Sequence, residues 1–151
     1  MDDEKWMRAA IEQAMLAEAI DEVPIGAVIV RDEEVIAAAH NTRETEKNPL
    51  CHAEISAIAR AAEVLCGWRL PGCTLYVTLE PCPMCAGAVI NARIPRVVFG
   101  AYDKKAGAFG TLYDLAEGKL NHKPEVAGGI LEKECAQLLS SYFRKKRKRG
   151  V

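Results

Sequence analysis

The sequence predicts an α/β layered domain in which helices cover a sheet. Short apolar runs of β type at residues 25–30, 35–39, 74–79 and 97–101 alternate with stretches whose apolar residues recur at helical spacing. The chain has 151 residues, half of them hydrophobic and 27% charged, which suits one domain with one core. No repeat, low-complexity segment or composition break divides it, so residues 1–151 are expected to form a single domain.

Taken in order, Trp6, Ala10, Ala14 and Ala17, with Met7, Ile11 and Met15 beside them, predict an amphipathic first helix ending before Pro24. Ile25–Val30 and Val35–Ala39 read as two strands of a hairpin, joined by Arg31-Asp32-Glu33-Glu34. Residues 41–49 are polar and contain Asn-Pro, hence a loop. From Ala53 to Leu65 the alanine-rich pattern with Ile55, Ile58, Ala59 and Ala62 predicts a helix that Gly67 closes. Thr74–Leu79 is a buried strand, Cys85–Ala92 a helical run after Pro81, and Val97–Ala101 another strand. Asp103–Gly110 is a glycine-containing loop of the kind that carries function. Val126–Ala127 gives a weak strand, and Leu131, Cys135, Leu138, Leu139 and Tyr142 mark a last helix.

No apolar run approaches the roughly twenty residues that a membrane-spanning helix needs, so a soluble protein is expected, with no membrane partner. The start, Met1 to Trp6, is acidic and soon amphipathic, unlike a secretory signal, which makes a cytoplasmic location the expectation. Six cysteines in that setting read as metal ligands or small buried hydrophobes rather than a disulfide frame. The net charge of −1 hides an asymmetry, because Arg144-Lys145-Lys146-Arg147-Lys148-Arg149 is wholly basic. Such a run is either a solvated helix end or a place for a polyanion to dock.

Cys82 and Cys85 have the spacing with which two thiolates grip one ion. They fall at a strand-to-helix junction with Pro83 suited to the first helical position, which puts Cys82 at or beside the N-cap and Cys85 one turn on. Backbone N–H groups and the helix dipole there favour thiolates. A redox dithiol, or two core residues, are the alternatives. His52 lies at the start of another predicted helix, and two such starts on one sheet edge can converge. One His and two Cys leave a tetrahedral zinc one open position, the catalytic arrangement; a closed structural site would need a fourth ligand, for which Cys51 is the first candidate. Cys66, Cys73 and Cys135 read as packing residues. Glu54 is the general base that a hydrolytic zinc requires, provided His52 precedes the helix and Glu54 lies in its first turn. Without the other three residues it would read as a first-turn glutamate favoured by the dipole.

His52-Ala53-Glu54 and Pro81-Cys82-Pro83-Met84-Cys85 resemble the His-x-Glu and Pro-Cys-x-x-Cys elements of the zinc-dependent nucleoside and nucleotide deaminase superfamily. Within it the chain is most similar to the tRNA adenosine deaminase family, over "VPIGAVIV", "CHAEISAI", "WRLPGCTLYVTLEPCPMCAGAVINARIPRVVFGAYDKKAG", "NHKPEV" and "CAQLLSSYFRKKRKR". That resemblance implies a three-layer α/β/α cytidine-deaminase-like fold around a central mixed sheet of about five strands. It implies one Zn2+ per subunit on His52, Cys82 and Cys85, with Glu54 as proton shuttle. It also implies substrate contacts from Asn41, Ala53, Asp103, Lys105, Asn121, Phe143 and Arg144, and a homodimer acting on a tRNA anticodon stem-loop. Cys51 stands where the family commonly has alanine, and Tyr142 where it often has a second phenylalanine. The expected reaction is hydrolytic deamination of the wobble adenosine to inosine. Deamination of a free base or nucleotide such as guanine or cytosine, and a non-catalytic RNA-binding domain with structural zinc, are the alternatives.

Overall fold

The computed structural model describes residues 2–149; Met1, Gly150 and Val151, the extremities of the expected domain, lie outside the described residues. Five strands, β1 (Gly26–Arg31), β2 (Glu34–His40), β3 (Thr74–Leu79), β4 (Arg96–Ala101) and β5 (Glu125–Ala127), form one sheet in the order β2-β1-β3-β4-β5. β1 is antiparallel to β2 and β3, whereas β3, β4 and β5 run parallel, so the sheet is mixed as expected.

The central strands are apolar at nearly every position because both faces are covered. Helices α1 (Asp3–Ala19) and α5 (Glu132–Lys148) cover one face, where Met7, Ala10 and Cys135 meet Val28, Tyr76 and Val98. Helices α3 (Ala53–Leu65) and α4 (Pro83–Asn91) cover the other, where Ala57, Ala61, Ala86 and Val89 meet Ile29, Leu75, Val77 and Val97. Alternate residues of one strand thus serve two cores, and the architecture is three-layered. Small residues let the layers approach. A Cβ on Gly26 would overlap the backbone of Ala10 and Ala14 in α1.

Several elements depart from the sequence expectation. The 41–49 loop contains a four-residue helix, α2 (Arg43–Glu46). Its free amide groups are satisfied from elsewhere: the buried Glu22 carboxylate accepts from Glu44 N–H (3.1 Å) and Thr45 N–H (2.5 Å). Cys66, not Gly67, closes α3 in the left-handed conformation (φ 55°), and its side chain is exposed rather than packed; Cys73 and Cys135 are buried. Met15, placed on the packed face by its spacing, is 56% exposed. The last helix continues past Tyr142 through most of the basic run. No helix among the described residues is long and apolar enough to cross a membrane.

Candidate active site

The site lies where the amino ends of α3 and α4 meet beside the carboxyl ends of β3 and β4, the usual crevice of a parallel sheet. His52 is the N-cap of α3 and Cys82 the N-cap of α4, both with extended backbone, and neither side chain caps its own helix. Each is therefore free to face the other. His52 Nδ1 lies 3.7 Å from Cys82 Sγ and 3.5 Å from Cys85 Sγ, and the three donor atoms all fall within 4.8 Å of one another. Bonds of about 2.0 Å to nitrogen and about 2.3 Å to sulfur, meeting at a tetrahedral angle, span about 3.6 Å, so the donor set fits a zinc ion. Cys51 is half-buried, neighbours Glu46 and Thr42, and is outside this cluster.

Electrostatics bind the cluster together. The Cys82 thiol is lowered to about 4, first because Cys85 donates a hydrogen bond to it and then because His52 does. Cys85 is pushed up, since its proton serves that bond in a buried place. His52 is raised by the Cys82 thiolate. Glu54, in the first turn of α3 and only 4% exposed, is pushed up to about 7 by burial. A cation among these groups would favour the second thiolate and the carboxylate form.

A cavity of about 580 Å³ opens above the cluster. His52, Ala53 and Glu54 form part of its lining, with Val23, Ile25, Leu79 and Leu139 as apolar wall and Arg43, Lys104 and Lys105 as cations. Tyr102 and Phe143 border it and are 49% and 44% exposed, leaving ring surface for a base to stack on. Asn41 lines the cavity with a fixed side chain: Nδ2–H donates to Val23 O (3.3 Å) and Oδ1 accepts from Arg43 N–H (3.1 Å).

Of the residues expected from the sequence, Asn41, His52, Ala53, Glu54, Asp103, Lys105 and Phe143 are brought together around this cavity. Asn121 is not. Its neighbour His122 bonds through Nε2 to Ile94 O (2.7 Å), just before β4 begins, so Asn121 is held at the opposite end of the sheet and exposed. Arg144 is exposed on α5 and outside the cavity lining. Part of the basic run is already paired: Lys146 and Arg149 reach Asp21 at 3.0 and 3.4 Å. Glu22, Arg43 and Glu80 shape the site and escape a sequence reading, although Glu80 stands directly before Pro81-Cys82.

Comparison with known proteins agrees with this geometry. Residues 1–147 match the sequence model of the MafB19-like deaminase family, which makes the chain a deaminase. A tRNA-specific adenosine deaminase of Bacillus subtilis is 55% identical over 148 residues, 97% of this chain and 92% of the relative. A second, from Haemophilus influenzae, is 48% identical and covers 96% of this chain and 85% of its own length. A solved structure from work on tRNA:A34 deaminases, which edit A to I at the wobble position of transfer RNA, superposes with a TM-score of 0.85 at 44% identity, covering 89% of this chain and 99% of that one. The chain belongs to the tRNA-specific adenosine deaminase family.

Proposed function

We propose that this chain deaminates the wobble adenosine of a tRNA anticodon to inosine, with Glu54 as catalytic residue and His52, Cys82 and Cys85 holding one zinc per subunit. The observation that carries the reading is the convergence of those three donors beside a buried carboxylate, under a cavity with an apolar wall and a rim of cations and exposed rings. His52, Cys82 and Cys85 would hold the zinc, which when bound would supply Lewis acidity to activate a water beside Glu54.

Glu54 accepts a proton from the attacking water and delivers it to the purine ring nitrogen, then takes the second proton from the hydroxyl now on C6 and passes it to the departing amine, so that the C6–N bond breaks and adenosine and water give inosine and ammonia. With only 4% of its surface exposed, Glu54 is shielded from competing water while still lining the cavity. Ala53 leaves room for the purine and offers backbone at the helix start, Asn41 presents a side chain already oriented by two hydrogen bonds, and Phe143 stacks. Lys105 and Arg144 meet flanking phosphates, and Asp103 shapes the loop that carries Lys105. An anticodon loop suits the pocket because its bases are unpaired before they are extruded.

We further read residues 1–151 as one domain working as a cytoplasmic homodimer, which light scattering at working concentration tests. Mass spectrometry of nucleosides from a treated anticodon stem-loop tests the reaction. Inosine at the wobble position is the expected result; zinc-loaded protein that forms none on any tRNA would sink the substrate assignment.

A further inference from the structure

Glu80 joins β3 to the Cys82 turn and is only 2% exposed. Its carboxylate accepts hydrogen bonds from Asp103 N–H (3.1 Å), Phe109 N–H (3.1 Å), Thr111 N–H (3.2 Å) and the Thr111 hydroxyl (2.5 Å). All four donors belong to one segment, residues 103–111, that lacks a ladder partner beyond a single bridge from Phe109 to Asp114. The segment wraps the carboxylate closely. A Cβ on Gly107 would stand 2.5 Å from the Glu80 carboxyl carbon, and Ala108 N–H donates to Pro81 O at 2.9 Å. The first residues of the same segment carry the cavity wall: Asp103, Lys104 and Lys105 line it, and Asp103 Oδ1 in turn accepts from Lys105 N–H (2.9 Å) and Ala106 N–H (3.2 Å). Glu80 is not part of the lining, and its oxygens are fully engaged by the segment.

We propose that Glu80 is the positioning residue for the substrate-facing loop: its buried carboxylate gathers residues 103–111 so that the cavity wall stands preformed before RNA arrives. Charge-assisted bonds of this kind are stronger than neutral ones, and removing the acceptor leaves buried N–H donors unsatisfied. A wall preformed in this way spares the substrate the ordering of the loop, so the effect falls on binding. Glu80 itself touches no reacting atom. The proposal rests on the deaminase reading given above.

The test compares Glu80→Gln and Thr111→Val with the wild-type holoenzyme. Glutamine keeps the size but turns an N–H2 group toward N–H donors, and valine deletes the single hydroxyl bond. For Glu80→Gln the expected outcome is a rise in KM for an anticodon stem-loop of about tenfold or more with kcat changed less than about threefold. Zinc stoichiometry stays unchanged, and the Phe109 and Thr111 amides exchange hydrogen faster. Thr111→Val should move KM and exchange in the same direction by a smaller factor, and decides alone if the glutamine variant does not fold. Unchanged KM and exchange in either folded variant would overturn the proposal, and so would a loss of zinc and kcat with KM intact, which would place Glu80 behind Cys82 instead. If the wild type forms no inosine, the function reading fails separately, and stem-loop affinity with amide exchange still decides the role of Glu80.

Discussion

Arg96 Nη1 and Nη2 donate parallel hydrogen bonds, each 2.8 Å long, to the two carboxylate oxygens of Asp3, ninety-three positions away in sequence. The Tyr76 hydroxyl donates a third bond to Asp3 at 2.8 Å, and Arg96 Nε also reaches Glu125 at 3.1 Å. The start of α1 is thereby fastened to three neighbouring strands by groups that are 16% and 19% exposed. Arg96 holds the Asp3 carboxyl below its ordinary value. A depressed carboxyl contributes stability that is full above its unfolded pKa of about 3.9 and is lost as pH falls through the folded value. Asp3→Asn should cost about 1–3 kcal/mol at neutral pH in urea unfolding, the gap to wild type closing below about pH 4. A gap that persists undiminished under acid conditions would contradict the assignment.

Glu54→Gln keeps the shape of the carboxyl and removes its proton capacity. Turnover should fall by at least about a thousandfold, within the range for lost general acid–base catalysis, while zinc content and melting temperature hold. Zinc analysis beside single-turnover inosine assays checks this. Loss of metal in that variant would make Glu54 structural.

Zinc removal should act on the fold as well as the chemistry, because the donors come from two helix starts with no side-chain cap. Dialysis against a chelator should release one zinc per chain and lower the melting temperature, by a margin that grows with the logarithm of the zinc first present. Cys85→Ser should show the same lowered melting point before chelation and no further drop after it.

Gly26→Ala brings a methyl group against the backbone of α1 at Ala10 and Ala14, where no side chain can swing away. Overpacking of this kind costs about 1–3 kcal/mol and sometimes more. Thermal unfolding should register several degrees of loss, with the zinc site intact in the protein that remains folded.

β3, buried on both faces, and α3, buried on one, were legible in the sequence, because a continuous apolar run and helical spacing come directly from those two kinds of burial: β3 at 74–79 and α3 at 53–65 fall where their patterns place them. The three donors were legible for a related reason, since Pro83 at a helix start and a strand ending at Leu79 fix where Cys82 must turn. What escaped depends on partners distant in sequence. The helix α2 exists because Glu22 supplies its missing acceptors, and no local pattern at 43–46 announces that. That Asn121 stands away from this cavity within one subunit is equally hidden, because an Asn-His pair gives no clue that His122 anchors to Ile94. Cys66 looked apolar by type, whereas the left-handed turn at the end of α3 carries it outward.

The basic end of α5 should contribute to RNA affinity through ions rather than through the fold. Lys146 and Arg149 share Asp21, while Arg144, Lys145, Arg147 and Lys148 are exposed. Arg144→Gln should weaken stem-loop binding and reduce the slope of log affinity against log salt by about 0.7 for a lost single-strand phosphate contact, with melting temperature unchanged. An unchanged slope would return this run to the solvated helix end that its composition also allows.

The convergence of His52 and Cys82 has a meaning for chain topology. They stand thirty positions apart, and all of α3 and β3 lies between them. A cation gripped at both would close that stretch into a ring, doing reversibly what a disulfide does permanently. For a ring of that size, chain entropy alone is worth about 3.6 kcal/mol. A chain that kept its ion while unfolded would start refolding already doubled back on itself, so the metal would govern the route to the native state as well as the reaction performed there.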